Sequence, residues 1–382
     1  AYFIHDLDPP GSASYGWYSF TVPFPVDAMQ GVYRLDNGNW VKAVNEVNYA
    51  IMDYHEDLRA QGKYGWKKYR SILQPGTGYL MTVENALNTY RFTKTQDGNF
   101  NTAMTQTLNV TDGDEKDKGW NSIGNGTTSY VTYASTPRYA QLYNHSTNAY
   151  DIELTTGNAL VVGAAYFVQA TTNNSTITMQ DASDATTGLL RAPQRDTESD
   201  VCFVNLSLSV NGKSSDKLFV TCDDNAATTY TIGKDVMKMG ATTGVSVARI
   251  WANAKGTTLG AADVAYNGNE AIIPLGIYAP KDGEYTLSLN SNPMEDVYLT
   301  RNGVIVWNLT MSDYTFSLNA GSDTSYALQV VRRVQNTATG VDAIDNDKRG
   351  TDFVEKMIVN GQLFILRDGI LYDAQGKKVS TL

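Results

Sequence analysis

The segment from residue 53 to 57 holds the side chains best suited to acid–base chemistry. Four of them stand almost side by side: Asp53, His55, Glu56 and Asp57. A zinc-binding helix would need a second histidine one turn later, and the segment lacks it. Glycoside hydrolysis would need two carboxyl groups that face each other across a cleft. We therefore interpret the segment as a solvated helix face, with Arg59 and Lys63 one turn from the carboxylates.

A second acidic segment, TDGDEKDKG at residues 111–119, contains three candidate calcium ligands, Asp112, Asp114 and Asp117. Calcium is bound by several oxygen atoms of one loop. The segment lacks the ligand spacing of a complete calcium loop, and two lysines dilute its negative charge. A solvated loop is the interpretation we favour, so we expect no metal and no cofactor.

Aromatic residues beside turns are the remaining candidates for a ligand site. They are Trp40 and three residues of the segment YGWKKY, namely Tyr64, Trp66 and Tyr69. Sugar-binding sites stack rings on exposed aromatic side chains and orient the sugar with polar neighbours. The alternative is that these rings pack across strands or cap a core.

Composition excludes several classes of function. The net charge of −10 argues against nucleic acid as a partner, because phosphate binding needs a basic surface. The sequence contains no nucleophile elbow, P-loop or dinucleotide-binding loop. It also lacks an apolar run of the ~20 residues that a membrane helix needs. We expect no catalytic residues, so the chain is not expected to be an enzyme.

The elements that must position these residues are strands. The 24 tyrosines and a hydrophobic share of 42% suit half-buried strands, and 382 residues are too many for one core. We predict an all-β protein with one domain at residues 1–180, a second at 200–334 and a C-terminal β-meander at 353–382. The first two are predicted to be β-sandwich-like.

The first domain repeats a set of landmarks in two copies, at about 16–95 and 119–180. GWYS at Trp17 returns as GWNS at Trp120, and GTGYLM returns as GAAYFV. Residues eleven and thirteen positions after the tyrosine of the second motif are apolar in both copies. A spacing of seven also separates Tyr33 from Trp40 and Tyr143 from Tyr150. These anchors predict two copies of one β unit, with a tight turn at the small residues before the tyrosine.

The first copy is longer, and the extra residues are assigned to a helical insert at about 45–69. Its apolar residues fall at helical spacing: Val47, Ala50, Ile51, Tyr54 and Leu58. Gly62 ends the predicted helix.

The second domain is predicted to be a jelly-roll or immunoglobulin-like sandwich. Its first two strands should form a hairpin around Asn211-Gly212. Cys202 and Cys222 then face the core of that hairpin. Two alternatives remain open for them: two free core thiols, or a cross-strand disulfide if the compartment is oxidising.

The meander is marked by turns at Asn360-Gly361, Asp368-Gly369 and Gly376 within VEKMIVNGQLFILRDGILYDAQGKKV, residues 354–379. This segment, with Arg367 in its LFILRDG run and TGVDAI ahead of it, resembles the C-terminal sorting domain of type IX secretion cargo. Such domains occur on surface proteins of anaerobic gut and oral bacteria. GWNSIGN resembles repeats that precede these tails, although Gly126 stands where proline is common.

The resemblance implies export and surface attachment or release, and export or surface-anchoring machinery as a partner. It implies no activity, because such tails are carried by unrelated proteins. We expect a secreted or outer-surface protein, an adhesion or binding part of a larger polypeptide, whose ligand is a glycan or host matrix. The alternatives are a glycan-binding accessory module of an upstream enzyme and a stalk without a ligand.

Overall fold

The structure is a computed structural model that confirms the all-β prediction. It describes residues 2–6, 17–83, 89–95, 103–133, 138–144, 149–155, 160–181, 202–333, 354–359, 362–367, 370–373 and 378–381, with side chains from 17 to 333 except 133 and 181. The chain divides into two compact units, Ala1–Arg333 and Val334–Leu382. Within the described residues, no helix combines the length and apolar character that crossing a bilayer requires.

Residues 2–181, the N-terminal region, contain seventeen described strands and one helix. In chain order they are β1 (Tyr2–Asp6), β2 (Trp17–Phe20), β3 (Val26–Asp27), β4 (Val32–Asp36), β5 (Asn39–Lys42), β6 (Tyr49–Tyr54), α1 (Glu56–Ala60), β7 (Trp66–Lys68), β8 (Ile72–Leu73), β9 (Tyr79–Val83), β10 (Thr89–Thr93), β11 (Met104–Leu108), β12 (Trp120–Gly124), β13 (Val131–Tyr133), β14 (Tyr139–Asn144), β15 (Ala149–Leu154), β16 (Ala165–Gln169) and β17 (Ser175–Asp181).

Within the N-terminal region these strands form two smaller units with matching sheets, which correspond to the two copies of the repeat. The first unit has sheets ordered β2-β9-β6-β7 and β1-β10-β4-β5, and the second has β12-β16-β14-β15 and β11-β17-β13. The register also matches, because each tryptophan lies opposite the residue three positions after the motif tyrosine. Trp17 pairs with Thr82, and Trp120 pairs with Gln169. Each unit has its own apolar core.

The two units meet through reciprocal backbone hydrogen bonds. The Thr21 amide donates to the Gly163 carbonyl, and the Gly124 amide donates to the Gly76 carbonyl, both at 2.8 Å. Gly76 and Gly163 have φ of +79° and +77°, so the small residues do form a tight turn in each unit. At Gly126, an added Cβ would lie 2.2 Å from the Gly76 nitrogen. The crossing is therefore too close for any side chain there.

Two sequence predictions about this region are wrong. Residues 49–54 are the strand β6 and not helix, because β7 and β9 pair with β6 on either side and override its spacing. The helix is limited to α1. The seven-residue spacing that the two copies share does not mark equivalent positions either. Tyr33 and Trp40 lie on β4 and β5, in the sheet that contains β1 and β10. Tyr143 and Tyr150 lie opposite each other on β14 and β15, in the sheet that matches β2-β9-β6-β7.

Residues 202–333, the C-terminal sandwich, contain twelve described strands. They are β18 (Cys202–Val210), β19 (Lys213–Cys222), β20 (Val236–Met237), β21 (Arg249–Ala254), β22 (Thr257–Val264), β23 (Glu270–Ala279), β24 (Gly283–Leu289), β25 (Asp296–Arg301), β26 (Val304–Asn308), β27 (Tyr314–Leu318), β28 (Gly321–Asp323) and β29 (Tyr326–Val331).

These strands enclose one core in a nearly closed sheet, ordered β26-β25-β29-β23-β21-β22-β19-β18-β24-β27. β23 changes partner along its length: residues 270–274 pair with β29 and residues 275–278 with β21, and residues 277–279 also pair with β28. β18 and β19 form the hairpin predicted around Asn211-Gly212, and both residues have positive φ. One pair, β19 with β22, is parallel.

The N-terminal region and the C-terminal sandwich share a buried apolar junction. Trp66, Trp120 and Phe167 from the first pack in one cluster with Phe219 and Met239 from the second. A buried amide fixes the register across it: the Gln141 side chain donates to the Met237 carbonyl at 2.8 Å and accepts from the Met239 amide at 2.9 Å. The two sequence-defined domains therefore pack as one unit.

A buried charge cluster lies at the same junction. The Lys238 ammonium is 2.6 Å from the Asp216 carboxylate, with both side chains about 1% exposed. Arg249 lies 3.4 Å from the same carboxylate oxygen and donates to the Tyr150 carbonyl at 2.8 Å. Burial lowers the pKa of Lys238 to about 8, against the opposing attraction of Asp216.

The C-terminal unit, Val334–Leu382, contains four antiparallel strands in sequential order: β30 (Val354–Val359), β31 (Gln362–Arg367), β32 (Ile370–Asp373) and β33 (Lys378–Thr381). Arg367 ends β31 and lies opposite Ile370. The predicted turn residues Asn360, Gly361, Asp368, Gly369 and Gly376 lie outside the described residues.

The lowered pKa of Lys238 predicts how stability depends on pH. Between the folded value of about 8 and the ordinary value of 10.5, the unfolded chain binds more protons than the folded chain. The contribution of Lys238 to the free energy of unfolding should therefore rise from pH 8 to 10, by an amount on the order of 2 kcal/mol. Urea unfolding at a series of pH values would measure this rise. Tyrosines of the unfolded chain begin to ionise in the same range and lower the stability, so the rise is read as the difference between wild type and Lys238→Met, in which the tyrosines cancel.

Lys213→Met, at an exposed position, should differ from wild type by an amount that does not change with pH. Equal slopes in wild type and Lys238→Met would contradict the assignment.

Candidate functional site

The candidate site is an open cleft in the N-terminal region. There α1, from the first of its two units, faces two loops of the second, which contains β11 to β17. Its volume is about 420 Å³, and we call it the α1 cleft. One wall comes from the end of β6 and the start of α1, and the other from the residues after β11 and the loop between β16 and β17. The lining residues are Tyr54, His55, Glu56, Asp57, Asn109, Val110, Thr111 and Asn173.

A buried carboxylate holds the two walls together. Glu56 accepts hydrogen bonds from the Thr111 amide at 3.0 Å, the Thr111 hydroxyl at 2.6 Å and the Gly119 amide at 2.6 Å. Its neighbours on the chain are half-buried or exposed, whereas Glu56 is 6% exposed. Hydrogen bonds to a charged acceptor are about twice as strong as neutral ones. Glu56 therefore fixes both ends of the loop that leads into the second unit.

The rest of α1 makes the same docking tight. The Arg59 guanidinium donates to the Asp117 carboxylate at 2.9 Å. Gly113 lies against the end of the helix, where an added Cβ would be 2.2 Å from the Ala60 carbonyl oxygen. This short helix thus serves to anchor residues 111–119. The interpretation of the segment as a solvated helix face is wrong for Glu56 and Arg59.

His55 brings a titratable ring to the cleft between two carboxylates. Its Nε2 is 3.2 Å from Asp53, and its Nδ1 is 3.9 Å from Asp57. On the opposite wall the exposed Asn173 accepts from the Val110 amide at 3.1 Å, while Asn109 bonds to Asn121 through its backbone. The cleft thus presents acceptors, an imidazole and amides to a ligand.

Tyr54 lines the cleft and carries an unpaired polar group. Its ring packs edge-on against Trp66 and Phe167, with centroid distances of 5.2 and 4.7 Å. Its hydroxyl oxygen is buried and has no hydrogen-bond partner among the described residues. Burial raises the pKa of Tyr54, so the group is a neutral phenol. A buried hydroxyl without a partner costs about 1–3 kcal/mol.

The four aromatic residues predicted from sequence do not form one site. Tyr64 is 71% exposed, but Trp66 is 9% exposed and belongs to the junction. The half-buried Tyr69 donates to the Ile72 carbonyl and packs on Tyr79. Trp40 lies 4.7 Å from the Arg91 guanidinium, which also covers Tyr33. The prediction that YGWKKY presents its tryptophan to a ligand is therefore wrong, because that ring is core.

The three candidate calcium ligands also have separate partners. Asp114 bonds to Lys116 at 2.8 Å, Asp117 faces Arg59, and Asp112 is exposed. The hydrogen bonds from Lys116 lower the pKa of Asp114. Across the described part of the chain, no three histidine, cysteine or acidic residues are grouped so as to hold a metal ion.

Sequence reasoning missed the opposite wall of the cleft. Asn109 and Asn173 stand in polar loop segments with no motif around them. The landmarks of the duplication give their only signal, because both residues lie close to strands of the second unit that correspond to strands of the first.

Comparisons of the chain with protein-family models, with curated proteins and with solved structures found no match. The geometry of the site therefore carries the functional argument.

Replacing Glu56 should loosen the loop between the two units. In Glu56→Gln an amide would meet the N–H donors of Thr111 and Gly119, and the loop should open more easily by about 2 kcal/mol. Hydrogen exchange at those two amides should then be faster by more than tenfold. Asp57→Asn, on the exposed neighbour, serves as the control and should leave both rates unchanged. Unaltered exchange in Glu56→Gln would show that the carboxylate does not hold the loop.

Proposed function

We propose that this chain is a non-enzymatic β protein of the cell surface that binds a glycan in the α1 cleft and is exported through its C-terminal unit. The observation that carries the binding proposal is the polar cleft itself, in which His55, Asp57 and Asn173 line one space. A ligand rich in hydroxyl groups can donate to the carboxylate and accept from the side-chain amide.

The chemistry of the lining supports a glycan. Sugar hydroxyls bond to carboxylates, imidazoles and side-chain amides, and the cleft presents all three at Asp57, His55 and Asn173. Its volume of about 420 Å³ lies within the usual range of small-ligand sites, and its openness to solvent suits a chain that extends beyond one or two sugar units. The net charge of −10 favours a neutral or cationic ligand over an acidic one.

The placement of the carboxylates supports binding without turnover. The lining carboxylates, Glu56 and Asp57, are neighbours on one wall, and the other wall consists of Asn109, Val110, Thr111 and Asn173. Glycoside hydrolysis uses two carboxyl groups on opposite sides of the scissile bond. Glu56 is moreover occupied by three hydrogen bonds from the loop.

The tail supports the proposal of export. Strands β30 to β33 form a sequential antiparallel meander within a unit separate from residues 1–333. This arrangement is what the resemblance of residues 354–379 to type IX sorting domains leads one to expect. The recurring strand order of the two N-terminal units likewise supports an internal duplication, as in repeats that precede such tails.

A glycan array with the intact chain tests the binding proposal. We expect binding that Asn109→Ala and Asn173→Ala each weaken by about tenfold, since one lost ligand hydrogen bond costs about 1–1.5 kcal/mol. Asn269→Ala is the matched control, because Asn269 is exposed on the C-terminal sandwich and far from the cleft in sequence. The glycans on the array should remain uncleaved after incubation with the chain.

Other outcomes would overturn parts of the proposal. Cleavage that Asp57→Asn abolishes would make the chain a hydrolase. Binding lost on Trp307→Ala and kept in the cleft variants would move recognition to the edge strand β26, where Val304 and Ile305 are also exposed. A chain that binds neither glycans nor host matrix would be a stalk.

A reporter fusion tests export separately. A periplasmic reporter that carries residues 334–382 should reach the cell surface or medium of a bacterium with a type IX system, and should stay inside an isogenic strain without it. A reporter that carries residues 202–333 is the control and should be retained in both strains. Equal retention of the two fusions would refute the role of the tail and leave the binding result unaffected.

A further inference from the structure

Cys202 and Cys222 lie directly opposite each other at the open end of the β18–β19 hairpin. Both residues are buried, at 2% and 0% exposure. Directly opposed residues of an antiparallel pair have Cα atoms ~4.5–5.5 Å apart. A disulfide spans Cα distances of ~4.4–6.8 Å. The backbone therefore already has the separation that a disulfide needs.

The two thiols also occupy one small space. A hydrogen bond between the Cys202 and Cys222 side chains, together with burial, raises the pKa of the Cys202 thiol. Tyr266 lies beside them, and the Arg332 guanidinium covers its ring at 3.7 Å. Arg332 in turn bonds to Asp224 at 2.8 Å, two residues beyond Cys222. The pair is thus enclosed by side chains of the sandwich.

A shared metal does not explain the pair. A zinc site would need further histidine, cysteine or acidic ligands, and the described residues group no three such side chains. Core packing alone does not explain it either, because the next pair on the same face, Val204 opposite Val220, fills its place in the core with ordinary apolar residues.

We propose that Cys202 and Cys222 form an intramolecular disulfide that locks the open end of the hairpin when the chain folds in an oxidising medium. The two thiols lose their protons and together give two electrons to a disulfide oxidant, which leaves as two thiols. The S–S bond replaces two S–H bonds, so atoms and electrons balance. Proximity and orientation are provided by the strand register.

The enclosure determines when the bond can form. Thiolates are the reactive species in disulfide exchange, and a buried thiol with a raised pKa is mostly protonated. Oxidation of the folded dithiol should therefore be slow, and oxidation during folding fast. Once formed, the bond should resist reductants for the same reason of access.

Refolding under two redox conditions tests the proposal. The intact chain is unfolded in urea with a reductant and then refolded with either a mixture of oxidised and reduced glutathione or the reductant alone. Each sample is alkylated in denaturant and weighed by mass spectrometry. We expect the sample refolded with glutathione to carry no alkyl group and to be lighter than the reduced, unalkylated chain by two hydrogen atoms. The sample refolded with the reductant alone should carry two alkyl groups. The melting temperature of the oxidised chain should be higher by about 5 °C.

The double variant Cys202→Ala, Cys222→Ala is the matched control, since its melting temperature should not depend on the redox buffer. Two alkylated thiols after oxidative refolding, glutathione adducts alone, or disulfide-linked dimers alone would each overturn the proposal. The mass of the wild-type chain decides the matter even if the double variant does not fold.

Discussion

The arrangement of residues 2–333 depends on the interactions of one buried carboxylate, that of Asp216. It accepts hydrogen bonds from the Ile250 amide at 2.8 Å and the Lys217 amide at 2.9 Å, and it faces Lys238 and Arg249. Charges cost much free energy to bury unless their partners are in place. Arg249 satisfies this condition only when it reaches the Tyr150 carbonyl of the N-terminal region. The cluster therefore favours one docked arrangement over any sliding of the two parts.

The junction also changes what the N-terminal sheets require of their sequences. Strands such as β9 and β16 bury both faces, one in the core of their own unit and one at the junction. Tyr79 and Met81 point into the first core, while Leu80 lies in the junction cluster. The usual alternation of apolar and polar residues is therefore lost in these strands. Two units that crossed elsewhere would leave Leu80 and Phe167 in water.

The sequence predicts well those features that depend on residues close along the chain. The landmarks around Trp17 and Trp120, the glycine turns before the motif tyrosines and the hairpin at Asn211-Gly212 all have local causes, namely periodicity and positive φ. They sufficed for the fold class. The site depends instead on contacts between distant residues. Glu56 meets Gly119, 63 positions away, and Trp66 meets Phe167, 101 positions away.

The spacing of Tyr54 and its neighbours shows why local signals failed there. The apolar residues of segment 47–58 have the spacing of a helix. In the folded chain, however, β7 and β9 pair with β6 on its two sides and give it two rows of backbone hydrogen-bond partners. A short helix cannot compete with that, because isolated helices of this length are not stable in water. Only after β6 ends at Tyr54 does the chain turn into α1, so the helix begins where the sheet stops.

The cleft follows from a departure from the duplication. In the second unit, β14 and β15 are joined by residues 145–148, whereas in the first the corresponding strands β6 and β7 are joined by residues 55–65, which include α1. Where the units correspond, their backbones approach so closely that Gly124 and Gly126 have no room for a Cβ, and nothing else can enter. The longer connection instead extends past this contact and meets residues 109–119 through Glu56. A polar bridge between two loops leaves space that packed strands do not, and Tyr54 is one of the residues that line that space.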